Sequence, residues 1–97
     1  MLEIQVPYRD GDVVSLKLSS GEEMIATLVN ETDKSVVISK PRMLVAGEKG
    51  MMFAPFMFTV NPDIKYTLRL TSVICVCKSE ETVAKAYNSQ TSGIAVV

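Results

Sequence analysis

The two cysteines are the residues of this chain whose type and spacing most directly suggest chemistry. Cys75 and Cys77 are separated by one residue in the run Val73-Ile-Cys-Val-Cys77. On a β-strand both side chains would point to one face, with Cα atoms about 6.6 Å apart, which is near the limit for a disulfide. Two thiols are half of a zinc site, and the sequence has no other Cys and no His to complete it. We therefore expect reduced, buried thiols that pack as small apolar groups, with no metal site and no cofactor.

Other groups that could support catalysis lack partners. The sequence has no His, so the usual general base near neutral pH is missing, and the serines Ser19, Ser20 and Ser72 have no base to activate them. The acidic pairs at 22–23 and 80–81 are adjacent in sequence, so neither pair would converge on one point as two catalytic carboxylates do. We predict that this protein is not an enzyme.

Length and composition indicate one small domain. The chain has 97 residues, 47% hydrophobic and 22% charged, which predicts a single domain over residues 1–97. No stretch approaches the roughly 20 apolar residues of a membrane span, and Met1-Leu-Glu-Ile-Gln5 does not resemble a secretory leader. We expect a cytoplasmic protein without membrane contact. The formal net charge of −1 means that any site for nucleic acid must be a local basic patch or one repeated by symmetry.

Apolar and polar residues alternate along most of the chain, as they do in half-buried strands. The alternation covers 13–19 and 22–29, joined by a turn at Ser20-Gly21, and continues at 35–40. Pro41 must lie where no ladder hydrogen bond is needed, with the strand resuming at 42–46 and turning at 47–50. Further strands are predicted at 51–60 and 64–71, and the wholly apolar run 73–76 predicts a strand covered on both sides.

The pattern changes after residue 78. Ser79 can cap a helix whose first turn holds Glu80 and Glu81, which predicts a helix at about 79–88 followed by an apolar tail at 89–97. The spacing of Val83 and Tyr87 predicts that this helix packs on the sheet. The predicted fold is all-β: a small, strongly bent antiparallel barrel of about five or six strands with a short C-terminal helix.

Two segments resemble the two sequence motifs of the Sm/LSm family, which includes the bacterial RNA chaperone Hfq. The first reads Val14-Ser-Leu-Lys-Leu-Ser-Ser-Gly21, Ala26-Thr-Leu28, Asp33 and Val36-Val-Ile38, and the second reads Arg69-Leu-Thr-Ser-Val73. Leu70 stands where the family has glycine, and Ser35 or Val36 where it often has Asn or an aromatic residue. The long N-terminal helix of the family has no counterpart in residues 1–12, and the stretch 51–63 is longer than usual.

The chain is also similar to Sm-like proteins of large tailed phages and cyanophages. The shared features are Leu18-Ser-Ser-Gly-Glu22, Lys40-Pro41, Ala54-Pro-Phe-Met57, Tyr87-Asn88 and Ser92-Gly-Ile94. The resemblance implies a homo-oligomeric ring of roughly five to seven subunits that pair through strands. It also implies single-stranded RNA as a partner and, for a phage protein, the cytoplasm of the infected bacterium as its location.

The resemblance assigns candidate RNA contacts to two loops, and they are Asp33, Lys34, Ser35, Arg69 and Thr71. Two of them have a structural alternative: Asp33 can form an Asx turn, and Arg69 can pair with a surface carboxylate. A symmetric assembly would gather Lys34, Lys40, Arg42 and Arg69 into a ring of positive charge. The second candidate function is an oligomeric scaffold or protein-interaction module of the same fold that does not bind RNA.

The Met and Phe run at 51–58 exceeds what so small a barrel can bury. One interpretation is a ligand groove, because Met-rich surfaces adapt to varied partners. We favour a combination of core and subunit interface. The interface candidates are Met52, Phe53, Phe56, Phe58, Val73 and Val76.

Overall fold

The computed structural model describes residues 7–92 and contains six strands and one α-helix. The strands are β1 (Val13–Leu18), β2 (Glu23–Glu31), β3 (Ser35–Gly47), β4 (Gly50–Pro55), β5 (Lys65–Arg69) and β6 (Val73–Lys78). A 3-10 helix, Leu70–Ser72, joins β5 to β6, and helix α1 spans Glu81–Thr91.

The strands form one antiparallel sheet in the order β4-β3-β2-β1-β6, and β5 pairs with β3 away from this path. The sheet is bent and not closed, since within residues 7–92 β5 pairs only with β3 and β6 only with β1. The prediction of a small, strongly bent all-β fold with a short C-terminal helix is confirmed.

Strand β3 bends in its middle and so serves two partners. Residues Ser35–Ser39 pair with β5, and the part from Arg42 onward pairs with β4. On the β2 side, Ile25 faces Arg42 and Thr27 faces Ser39, so two residues of β3 stand opposite one residue of β2. These two are Lys40, whose φ is 51°, and the buried Pro41, which has no N–H to donate. This β-bulge is where the sequence predicted a break in the ladder.

The core lies on the inner face of the bend. Alternate residues of β1, β2 and the first half of β3 are buried there, as the alternation predicted. They are Val14, Leu16, Met24, Ala26, Leu28, Val36 and Ile38, joined by Tyr66 of β5. Ile25, on the opposite face of β2, is also fully buried but lies outside this cluster.

Helix α1 packs on the outer face of β2 and β3 through Tyr87, which has no exposed surface. Its N-terminal cap is Glu80, whose carboxylate accepts from the Thr82 N–H at 3.2 Å. Ser79, the predicted cap, instead shares a 2.8 Å hydrogen bond with the Ser15 hydroxyl on β1. Residues 89–91 belong to the helix, whereas 93–97 of the predicted tail and 1–6 of the N-terminus lie outside the described residues.

Two strand predictions were wrong in part. The run 51–60 is not one strand, because β4 ends at Pro55, after which its pairing with β3 stops. Strand β6 is not covered on both sides, and Ile74 is 65% exposed while both cysteines are exposed and free. The reason is topological. Within residues 7–92, β6 has one strand neighbour, β1, and the Tyr87 contacts of α1 lie on β2 and β3 rather than on β6.

Candidate nucleic-acid interface

The turn between β2 and β3 is organised by Thr32. The Thr32 hydroxyl accepts hydrogen bonds from the backbone N–H groups of Lys34 at 3.2 Å and Ser35 at 3.0 Å. The Thr32 N–H donates to the Ser35 carbonyl at 2.8 Å, which closes the turn. Thr32 therefore plays the part that the structural alternative gave to Asp33, which forms no Asx turn. The Thr-x-x-Ser spacing in the sequence indicates such a turn, because Thr hydroxyls form the same kind of turn as Asp carboxylates do.

The 3-10 helix holds the two candidate loops against each other. The Leu70 N–H donates to the Lys34 carbonyl at 3.0 Å, and Ser35 is the register partner of Arg69 where β3 pairs with β5. On its other side the Ser72 carbonyl accepts from the Ser19 N–H at 2.9 Å, next to the β1–β2 turn. The five predicted contact residues, Asp33, Lys34, Ser35, Arg69 and Thr71, thus lie on two adjoining segments at one end of the sheet. We call this group the loop patch.

The charged side chains of the loop patch face solvent. Asp33, Lys34 and Arg69 are exposed, and within residues 7–92 none of the three side chains has a hydrogen-bond or ion-pair partner. Among the described residues, Arg69 therefore has no surface carboxylate as a partner, contrary to the structural alternative. An unpaired guanidinium and an unpaired ammonium leave their donors available to an anionic ligand such as a phosphate.

The carboxylate of Glu31, close to the loop patch, already has a hydrogen-bond partner. The Tyr8 hydroxyl donates to Glu31 at 2.9 Å, at the end of β2 that leads into the turn. Burial raises the pKa of Tyr8 above its ordinary value, and the hydrogen bond and negative charge of Glu31 raise it further. No local sequence pattern indicates this pair, because the two residues are far apart in sequence.

Lys40 and Arg42 do not belong to the loop patch. Lys40 lies five positions along β3 from Ser35, about 17 Å in an extended strand. The Arg42 guanidinium is mostly buried, donating to the Pro41 carbonyl at 3.0 Å and contacting the Asp63 carboxylate at 3.5 Å. Of the four cations expected to form one ring, the structure brings together only Lys34 and Arg69.

The interface candidates divide into two kinds. Phe53 packs edge-on to Tyr87 at 6.4 Å between ring centroids, Phe56 packs edge-on to Tyr66 at 5.5 Å, and Val73 and Val76 pack against the core. Met52 and Phe58 point outward, and Phe58 is 84% exposed. Five more large hydrophobic residues are also exposed, and they are Val45, Met51, Met57, Val60 and Ile64.

A groove of about 670 Å³ runs between the β3–β4 hairpin and α1. Leu44, Met51, Met52 and Phe53 line one wall, and Val83 and Ala86 line the other. Glu23 and Glu80 are the charged residues that line it. The Met and Phe run thus contributes both to core packing and to an open groove.

Within residues 7–92, no helix has both the length and the apolar character needed to cross a membrane. Over the same residues, no three His, Cys, Asp or Glu side chains are grouped as metal ligands. The chain matches no protein-family model, and no curated protein matches it significantly.

Proposed function

We propose that this protein is an Sm-like homo-oligomeric ring that binds single-stranded RNA through the loop patch. The observation that supports RNA binding best is the contact between the two candidate loops, the 3.0 Å hydrogen bond from the Leu70 N–H to the Lys34 carbonyl. It holds Lys34 and Arg69, whose side chains are unpaired within residues 7–92, on adjoining segments where both can contact one phosphodiester strand.

Unpaired strand edges support assembly. Within the described residues, β5 and β6 each have one strand neighbour, so each offers a row of backbone N–H and C=O groups to another chain. Pairing β5 of one subunit with β6 of the next is a head-to-tail contact, which closes into a ring if the rotation allows. Because symmetry repeats Lys34 and Arg69 once per subunit, a chain with a formal net charge of −1 still presents a local basic patch.

The test combines mass with salt-dependent binding. We expect light scattering to give several chains per particle, and uridine- and adenosine-rich oligonucleotides to bind more weakly as salt rises. Replacing both Lys34 and Arg69 by Ala should weaken binding and lower the slope of log K against log salt by about 0.7 for each phosphate that is no longer neutralised. The matched control is Lys49→Ala, which removes a cation from the β3–β4 turn at the other end of β3.

Three results of this test would contradict part of the proposal. A monomer at all concentrations would overturn the ring, and unchanged binding by the Lys34 and Arg69 double variant would overturn the loop patch as the RNA site. A ring without salt-sensitive RNA binding would instead support the second candidate, an oligomeric scaffold. The groove beside α1 favours that alternative, because its walls are mostly apolar side chains and exposed apolar grooves mark protein contacts.

A further inference from the structure

The two thiols lie together on an open face of the molecule. Cys75 and Cys77 are paired in register with Lys17 and Ser15 of β1, so both point to the same side of the sheet. Both are exposed and free. This is the face opposite to the buried Leu16 and its register partner Val76. Side chains stand perpendicular to a sheet, so strand pairing along the β6 edge would leave these thiols accessible.

Their spacing suits a bridging ion better than a disulfide. Residues two apart on a strand have Cα atoms about 6.6 Å apart, at the upper end of the roughly 4.4–6.8 Å range of disulfides and beyond their usual value of about 5.5–6 Å. An ion with metal–sulfur bonds of about 2.3 Å lets its two sulfurs stand up to about 4.6 Å apart.

The number of ligands that the chain can supply indicates which kind of ion the site can bind. Within residues 7–92, no third Cys, His, Asp or Glu completes a metal-binding group, so these residues supply two ligands and not the four of a closed tetrahedral zinc site. Soft cations such as Cu(I) prefer thiolates and accept two of them in a linear arrangement. Such a complex carries one negative charge, and the exposed ammonium of Lys17 stands beside Cys75 in the register to offset it.

We propose that Cys75 and Cys77 form a two-thiolate binding site for a soft monovalent cation of the Cu(I) class. On binding, two S–H bonds break, two metal–sulfur bonds form and two protons pass to solvent, with no change in oxidation state. The site is independent of RNA binding and of the ring.

The experiment uses the whole protein, reduced and free of oxygen, with Cu(I) supplied against a competing coloured chelator. We expect one Cu(I) per chain, with affinity rising with pH because two protons are released. Cys75→Ser and Cys77→Ser should each weaken binding at least tenfold. Both positions are exposed, so these variants should keep the wild-type circular dichroism spectrum and thermal midpoint.

Two further measurements distinguish a paired site from two separate thiols. Phenylarsine oxide forms two As–S bonds and releases water only where two thiols converge, so it should bind wild type and neither single variant. Lys17→Gln should weaken Cu(I) binding about two- to fivefold. Lys85→Gln, which removes an exposed ammonium from α1, should leave Cu(I) binding unchanged. Wild-type Cu(I) affinity in either cysteine variant, or one ion shared by two chains, would overturn the proposal.

Discussion

The Tyr87 hydroxyl donates a 2.7 Å hydrogen bond to the backbone carbonyl of Lys40, the one non-glycine residue of positive φ within residues 7–92. Because a phenol has a single proton, the Thr27 hydroxyl at 3.2 Å must be the donor to Tyr87. The phenol thus joins α1 to β2 and to the bend of β3. The helix and the bulge stabilise each other, and the bend sets how far the β3–β4 hairpin turns from the rest of the sheet.

Tyr87→Phe should lower the free energy of unfolding by about 1–3 kcal/mol. The reason is that the Lys40 carbonyl loses the hydrogen bond that the buried Tyr87 hydroxyl donates to it. The measurement is urea unfolding followed by circular dichroism. The control is Tyr8→Phe, which removes the same hydroxyl from an exposed bond to Glu31 and should change stability by less than about 0.5 kcal/mol. Equal losses in both variants would contradict the role given to Tyr87.

The backbone at Lys40 gives a second prediction. A side chain with a branched Cβ is strained at a φ of 51°, so Lys40→Val should lower the free energy of unfolding by about 1 kcal/mol or more. Asn tolerates this region, so Lys40→Asn should be as stable as wild type or more stable by up to about 1 kcal/mol. The measurement is again urea unfolding. If both variants lose the same stability, the contacts of the Lys40 side chain matter and its backbone conformation does not.

Structural features that depend on local sequence patterns were predicted correctly. Alternation identified Val14, Leu16 and Ile38 as core residues, and the missing N–H of Pro41 located the break in β3. The exposure of Cys75 and Cys77 could not be predicted, because an apolar run is the same in a central strand and at an edge. Position in the sheet depends on pairings between residues far apart in sequence, such as β1 with β6.

In the candidate site, too, some residues were predicted correctly and others depend on contacts between distant parts of the sequence. The resemblance selected Lys34 and Arg69, which the structure places on adjoining segments. The separate expectation of one ring of positive charge also included Lys40 and Arg42. These two lie beyond the segment that pairs with β5, in a strand whose length of 13 residues takes them away from the loop patch. The partnership of Arg42 with Asp63, 21 residues later in the sequence, has no local signal.

The helix cap predicts a pH dependence. A hydrogen bond from the Thr82 backbone N–H, and then one from the Thr82 side chain, lower the pKa of Glu80 below its ordinary value of 4.5. The cap therefore stabilises the fold above about that pH, and its contribution is lost as the pH falls through the lowered pKa. Glu80→Gln should lose stability at pH 7, and its difference from wild type should shrink below pH 4.5. Glu80→Asp keeps a carboxylate and should keep the pH dependence. A Gln variant with the wild-type pH profile would contradict this assignment.

The β6 edge gives the sharpest test of assembly. Ile74 is 65% exposed on this edge strand, and a Lys at such a position opposes pairing because its charge must be desolvated when another strand approaches. Ile74→Lys should therefore convert multimers into monomers in light scattering, without loss of the circular dichroism spectrum. The control is Val45→Lys, which adds the same charge at a 41% exposed position on β3. If Val45→Lys lowers the mass and Ile74→Lys does not, subunits associate through the apolar β3–β4 hairpin, which excludes the strand-paired ring.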